Sequence, residues 1–253
     1  MDKGSMRVLI AWIILYGIIY RLSESISGII GIDHCVTVLS MLLYWRAMFV
    51  YLNKNNCASS YYICAPKSKK ISGFYVYVPL ILMAAVNAVI SYRQHTMDSD
   101  IVYQPAGIIS GINLLTTCLL TVSCVIGEEV FFRGIFLTLL MKHRLRAIIV
   151  TSLSFSFMHI LNILSGESFY YVTIQALNAA AVGFCLAVVS CIEHSIIPGI
   201  VIHSLINISS LYIDDWRVFG TLAESNVVFV VLPIVYIVYG IYLYQKGQER
   251  KML

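Results

Sequence analysis

Long apolar stretches separated by short polar segments run through the whole 253-residue chain. A helix that crosses a bilayer needs about 20 predominantly apolar residues. The pattern therefore predicts eight transmembrane helices, at Val8–Tyr20, Cys35–Leu52, Ser72–Tyr92, Ala106–Ile126, Ala147–Leu164, Tyr170–Cys191, Ser195–Ile213 and Asn226–Tyr244. The fourth stretch runs on into Glu128–Lys142, and at about 1.5 Å per residue the whole is too long for one straight span. We expect this helix either to project into the cytoplasm or to bend after Gly127.

The basic residues divide unevenly between the two sides of these spans. Only Arg21, Arg93 and Arg217 fall in the outer segments. The inner segments hold Lys3, Arg7, Lys54, Lys67, Lys69, Lys70, Lys142, Arg144, Arg146, Lys246, Arg250 and Lys251. Because cytoplasmic loops of membrane proteins are rich in Lys and Arg, this bias supports eight spans with both termini cytoplasmic. No repeat or linker divides the sequence, so we expect one membrane domain over residues 1–253.

Composition narrows the class of protein. Hydrophobic residues make up 59% of the chain and charged residues 12%, against about 45–50% and 25% in soluble domains. This excludes a soluble globular enzyme, a disordered chain and a nucleic-acid module, and it makes the lipid bilayer an expected partner. The fold class that follows is all-α, a polytopic bundle of about eight transmembrane helices.

Ionisable residues inside the apolar stretches are the candidates for function, because each one costs at least about 2.5–3.5 kcal/mol at mid-helix. The strongest cluster contains Glu128, Glu129 and Arg133. Glu129 and Arg133 are four residues apart, in the favourable order for a helical ion pair. Glu128 points about 100° away on the same helix. It has no local countercharge, which suits a general base.

Two further polar sites lie in later spans. One is Phe155 and His159 in the fifth span, and the other is His203 and Asn207 in the seventh. His203 and Asn207 share a helix face because they are four residues apart. Counted from the inner ends of their spans, Glu128, His159 and His203 all lie roughly 12–20 Å deep. We therefore expect them to meet at one level in the membrane, as a site that activates water.

These three motifs, E-E-x-x-x-R, F-x-x-x-H and H-x-x-x-N in this order, resemble the CAAX-processing and bacteriocin-processing (CPBP, or Abi) family, also called type II CAAX prenyl endopeptidase-like. The resemblance covers about residues 122–208. It implies a helical intramembrane endopeptidase. By position, Glu128 would activate water with His159 as its partner, and His203 and Asn207 would stabilise the oxyanion.

The resemblance also implies supporting roles. Glu129 and Arg133 would form an ion pair that fixes the helix, and Phe155 would pack beside His159. The sixth span departs from the family pattern. Its glycines spaced four apart are replaced by the stretch Ala179–Gly183, which questions the close packing of this helix.

The metal requirement has two alternatives. Glu128, His159 and His203 could supply a three-ligand zinc site with an open position. The chain lacks the H-E-x-x-H spacing that would make zinc compelling. We expect no obligatory metal, with zinc as the alternative.

The leading hypothesis for function is hydrolysis of a peptide bond in a membrane-associated protein or peptide precursor. One alternative is a non-catalytic family member that acts as a bacteriocin self-immunity protein, a membrane scaffold or a regulator. Another is a small transporter or proton relay, against which the lack of paired halves argues. The short chain suggests a bacterial plasma membrane protein, and a leader-bearing pheromone or bacteriocin precursor as its substrate.

Overall fold

The computed structural model describes residues 3–30, 35–54, 73–97, 108–165, 169–209 and 230–249, and within these ranges it contains helices and no strands. The main helices are α1 (Lys3–Ile30), α2 (Cys35–Lys54), α3 (Gly73–Met97), α4 (Ile108–Glu129), α5 (Arg144–Ile160), α6 (Phe169–Glu193), α7 (Ile197–Ser209) and α8 (Leu232–Glu249). A 3₁₀ turn, Leu161–Ser165, follows α5. The all-α fold class is thus confirmed.

Within the described residues, four helical segments are long and apolar enough to cross a membrane. They are Cys35–Lys54, Leu115–Leu139, Arg144–Ile163 and Val172–Glu193. Such helices mark an integral membrane protein, since a bilayer-spanning helix satisfies every backbone polar group internally. The predicted span ends Ser72, Ala106, Ile213 and Asn226 lie outside the described residues, and the count of eight spans stays a prediction. Helix α1 extends beyond the predicted Val8–Tyr20 at both ends.

The long fourth stretch continues as helix past Gly127, where a bend was one of the two expectations. After Glu129 the backbone changes to a π-helical segment, Val130–Phe136, and then forms a last α-helical turn, Leu137–Leu139. The backbone N–H of Leu137 bonds to the carbonyl oxygen of Phe132, five residues earlier. Short π-helical insertions are rare and frequently occur at functional sites. This one begins directly after the two adjacent carboxylates.

Helix α6 lies at the centre of the bundle and packs against α5, α7 and α8. From Ala181 to Ile192 every residue except Phe184 is buried. A helix that is apolar on all faces belongs in the interior of a bundle, and small residues on it let neighbouring backbones approach closely. The Ala179–Gly183 stretch therefore does support close packing, although it lacks the family's repeated glycines.

The sequence between α6 and α7 ends one helix and begins the next. His194 has φ of 49°, in the left-handed region that terminates helices. The Ser195 hydroxyl then accepts a hydrogen bond from the Ile197 backbone N–H at 3.2 Å. Pro198 occupies the first turn, where a backbone N–H would have no helical partner. This turn sets the start of α7 and hence the position of His203.

Helices α1 and α2 pack together, and α2 contacts α4. Their contact surface is an aromatic cluster of Trp12, Tyr16, Tyr44 and Trp45. The Tyr44 hydroxyl donates a hydrogen bond to the Trp12 carbonyl oxygen, and Trp45 Nε1 donates to the Ser123 hydroxyl of α4 at 2.8 Å. The aromatic cluster thus joins the first two helices to the helix that carries the carboxylates.

Candidate active site

The two adjacent carboxylates occupy different environments. The side chain of Glu129 is completely buried, whereas that of Glu128 is 37% exposed. The separation follows from the helix, because successive residues point about 100° apart. One carboxylate is therefore placed among other side chains, while the other can meet a molecule from outside.

Glu129 belongs to a buried network with Arg133 and His203. Its Oε1 accepts a hydrogen bond from Arg133 Nη1 at 2.9 Å and lies 2.9 Å from His203 Nδ1. The side chains of Glu129 and Arg133 are fully buried and that of His203 is 4% exposed. The predicted ion pair between Glu129 and Arg133 is confirmed. The bond to His203, on α7, links the first motif to the third.

Two glycines leave the space that this buried network fills. A Cβ at Gly199 of α7 would lie 2.8 Å from Glu129 Oε2, and one at Gly183 of α6 would lie 3.2 Å from Arg133 Nη2. A separation under 3.0 Å is too short for real carbon contacts, so an alanine at Gly199 would displace the carboxylate. Sequence analysis named Gly183 only as the end of the Ala179–Gly183 stretch and did not identify Gly199. The available signal was the position of Gly199, four residues before His203 on the same helix.

The ring of Phe155 lies at the centre of these groups. Arg133 Cζ is 4.2 Å from its centroid, a cation–π contact. The rings of His159 and His203 meet Phe155 edge-on, with centroids 4.8 and 5.6 Å away. The expected packing of Phe155 beside His159 is confirmed, and the same ring also touches the other two motifs.

His159 is half-buried on α5. Its Nδ1 lies 3.0 Å from the Phe155 carbonyl oxygen, which can only accept a hydrogen bond. Nδ1 therefore carries the proton, and in the neutral ring Nε2 has a free lone pair. That nitrogen can accept a proton from a bound molecule.

The remaining nitrogen of His203 faces the exposed carboxylate. Nε2 lies 3.6 Å from Glu128 Oε2, which exceeds the length of a direct hydrogen bond. Glu128 Oε2 has no hydrogen-bond partner among the residues that the structure describes. Glu128 and His203 are thus neighbours without a direct hydrogen bond.

The structure therefore brings six of the seven predicted site residues into one group, five by direct contact and His159 through Phe155. Asn207 is half-buried one turn after His203 on α7. Its place beside the group follows from the helix register alone.

The alternative zinc site would need Glu128, His159 and His203 to converge on one ion. In the part of the chain that the structure describes, no three His, Cys, Asp or Glu side chains are gathered closely enough to hold a metal ion. The metal requirement stays a prediction.

Comparison with protein families gives one match. Residues 110–209, about two-fifths of the chain, match the family described as type II CAAX prenyl endopeptidase Rce1-like. This confirms the resemblance and extends slightly beyond the predicted core, residues 122–208. The segment runs from α4 to the end of α7 and contains every predicted site residue. Neither the curated proteins nor the solved structures gave a match.

Proposed function

We propose that this protein is an intramembrane endopeptidase that hydrolyses a peptide bond in a membrane-associated protein or peptide precursor. The observation that carries the proposal is the position of Glu128. Its side chain is 37% exposed, while its buried Oε2 lies 3.6 Å from His203 Nε2, next to a second carboxylate that is fully buried. The match of residues 110–209 to an endopeptidase family supports the same reaction class.

In this proposal Glu128 takes a proton from water, and the resulting hydroxide attacks the peptide carbonyl carbon. When the tetrahedral intermediate collapses, the C–N bond breaks and the leaving amine takes the proton from Glu128, which returns to the carboxylate form. His159 assists as the partner of Glu128, since its neutral ring can accept a proton at Nε2. A positioned base or acid of this kind typically contributes about 10²–10⁴-fold to the rate.

His203 and Asn207 would stabilise the negative oxygen of the tetrahedral intermediate. Donation from His203 requires a proton on Nε2 in addition to the one on Nδ1. The buried Glu129 carboxylate, 2.9 Å from Nδ1, would stabilise the cation that results. Loss of one such donor typically lowers kcat by about 10²–10³-fold.

The substrate class follows from the location of the site. A precursor that carries a leader peptide and lies against the membrane is our first choice, and a prenylated CAAX peptide, which the matched family's name indicates, is the second. We place the protein in a bacterial plasma membrane with both termini cytoplasmic, and the bilayer and the peptide are its partners. It requires no obligatory metal.

The test compares three purified proteins in detergent: wild type, Glu128→Gln and Glu249→Gln. Glu249 is an exposed carboxylate outside the site, 66% exposed and paired with Lys246, and it provides the matched control. The substrates are a fluorogenic peptide library, leader peptides and a prenylated CAAX peptide, each with and without a strong chelator. We expect cleavage by wild type and Glu249→Gln, a loss of at least about 10²-fold in Glu128→Gln, and no effect of the chelator.

Undiminished cleavage by Glu128→Gln would overturn the assignment of the base. Activity lost on chelation would overturn the metal-free mechanism. Absence of cleavage by wild type on all substrates would favour the non-catalytic alternative, a self-immunity protein or membrane scaffold.

A further inference from the structure

The buried network offers more than an ion pair that fixes a helix. A single oxygen, Glu129 Oε1, lies 2.9 Å from both Arg133 Nη1 and His203 Nδ1. The first contact is within one helix, and the second reaches α7 across 74 positions of the chain. Glu129 thus connects a constant positive charge to a titratable ring that borders the site.

The chemistry of these atoms determines which nitrogen of His203 carries a proton. Arginine is charged at any physiological pH and can only donate. Its contact at 2.9 Å with Oε1 is an ion pair, and Oε1 is the acceptor in it. The short contact with His203 therefore requires a proton on Nδ1. In the neutral ring the lone pair is then on Nε2, the nitrogen that faces Glu128 Oε2 at 3.6 Å.

The surroundings hold the carboxylate in one position. A Cβ added at Gly199 would lie 2.8 Å from Glu129 Oε2, and one added at Gly183 would lie 3.2 Å from Arg133 Nη2. The Phe155 ring lies against the guanidinium on one side and meets the His203 ring edge-on. Tight packing of this kind allows few alternative rotamers. The orientation of the His203 ring is therefore set by Glu129.

We propose that Glu129 is a positioning residue that holds His203 with Nδ1 protonated and Nε2 directed at Glu128. It touches neither substrate nor the reacting atoms. The inference rests on the proposed function only for its effect on rate, because the state of the ring can be measured without any substrate.

The direct test is nuclear magnetic resonance of protein labelled with ¹⁵N-histidine in detergent micelles. The His203→Gln variant identifies the signals of His203 among the six histidines. We expect Nδ1 protonated and Nε2 unprotonated in the neutral wild-type ring. In the double variant Glu129→Leu/Arg133→Met no acceptor faces Nδ1 and no buried charge is left unpaired, so the proton should move to Nε2 in part or fully. The signals of His159, bonded to a carbonyl oxygen, should not change and serve as the internal control.

The kinetic test uses Glu129→Gln, which keeps an acceptor oxygen for Arg133 and His203 but removes the negative charge, on whichever peptide the wild type cleaves. Without that charge the doubly protonated His203 ring, the form that donates to the oxyanion, is less stable. Loss of one such donor typically lowers kcat by about 10²–10³-fold. We expect a fall in kcat with little change in KM, since the carboxylate does not contact substrate.

A wild-type ring that is protonated on Nε2 and bare on Nδ1 would overturn the proposal, as would an unchanged tautomer in Glu129→Leu/Arg133→Met. If the double variant fails to fold, the wild-type spectrum alone still decides. A protein without peptidase activity that shows the expected shift would retain this inference and refute the proposed function, so the two can fail separately.

Discussion

Polar groups are buried in different ways on the two sides of α4 and the π-helical segment that follows it. Towards α1 and α2 the helix meets the aromatic cluster, where neutral rings pack edge-on and the polar groups are paired, as Trp45 is with Ser123. Towards α6 and α7 it presents Glu129 and Arg133, two full charges without solvent exposure. The side towards α1 and α2 is held by many aromatic contacts of similar strength, and the side towards α6 and α7 by a few charged groups.

This difference indicates where the loss of a single side chain should lower stability most. Aromatic contacts are each worth about 0.5–1.5 kcal/mol beyond burial, so the loss of one leaves the others. A buried charge that loses its partner has no substitute, because desolvation costs several kcal/mol per ion. Three buried atoms on this side already lack hydrogen-bond partners in the described residues: Glu129 Oε2, Arg133 Nε and Arg133 Nη2. The loss of a further contact there should therefore lower the free energy of unfolding strongly. We expect function to be concentrated there.

The largest effect should come from Arg133→Met. The substitution leaves Glu129 buried with His203 as its remaining partner, and breaking a buried pair in this way lowers the free energy of unfolding by about 3–5 kcal/mol. The measurement is SDS-induced unfolding in mixed micelles.

The double variant Glu129→Leu/Arg133→Met is its control, because removing both charges with apolar residues is often neutral. It should recover most of the stability while peptidase activity stays low. An Arg133→Met protein as stable as wild type would contradict this prediction, because it would show that a substitution on the charged side need not lower the free energy of unfolding.

Gly199→Ala should have an intermediate effect. The added Cβ would lie 2.8 Å from Glu129 Oε2, and overpacking of this kind costs about 1–3 kcal/mol. Displacement of the carboxylate should also weaken the bond to His203, so activity should fall together with stability.

Gly17→Ala is the matched control for Gly199→Ala, since a Cβ there meets nothing within 4 Å. A glycine-to-alanine change in a helix interior stabilises the folded protein by about 0.5–1 kcal/mol where the added Cβ has space. Equal effects at the two glycines in both unfolding and cleavage assays would contradict the close approach at Gly199.

The smallest effect should come from Trp45→Phe on the aromatic side. It removes the hydrogen bond to Ser123 but keeps a ring, and interhelical hydrogen bonds in membranes average about 0.6 kcal/mol. Ser123→Ala removes the same bond from the other partner, so the double variant should cost little more than either single one. A loss as large as that of Arg133→Met would abolish the contrast between the two sides.

Much of this arrangement could be predicted from local pattern. The helical class follows from apolar stretches of membrane length. The Glu129–Arg133 pair follows from their spacing, because residues four apart share a face whatever surrounds the helix. Six of the seven candidate site residues were chosen because ionisable and amide groups stand out in apolar stretches. Phe155 was added by the resemblance to a known family.

Long-range contacts could not be predicted in this way. The bond between Glu129 and His203 joins residues 74 positions apart, and no periodicity relates α4 to α7. The glycines at 183 and 199 look like ordinary small residues until the packing of α6 and α7 places them against Arg133 and Glu129. The π-helical segment Val130–Phe136 was not predicted either, because the length of the stretch indicated only a projection into the cytoplasm or a bend after Gly127.

The sequence by itself thus determined the elements and the chemical groups, because hydropathy and helical spacing act over a few turns of one helix. Only the tertiary structure decided which carboxylate is enclosed and which is accessible. That choice depends on which neighbouring helix covers each face of α4, and covering a face is a property of packed surfaces and not of local sequence.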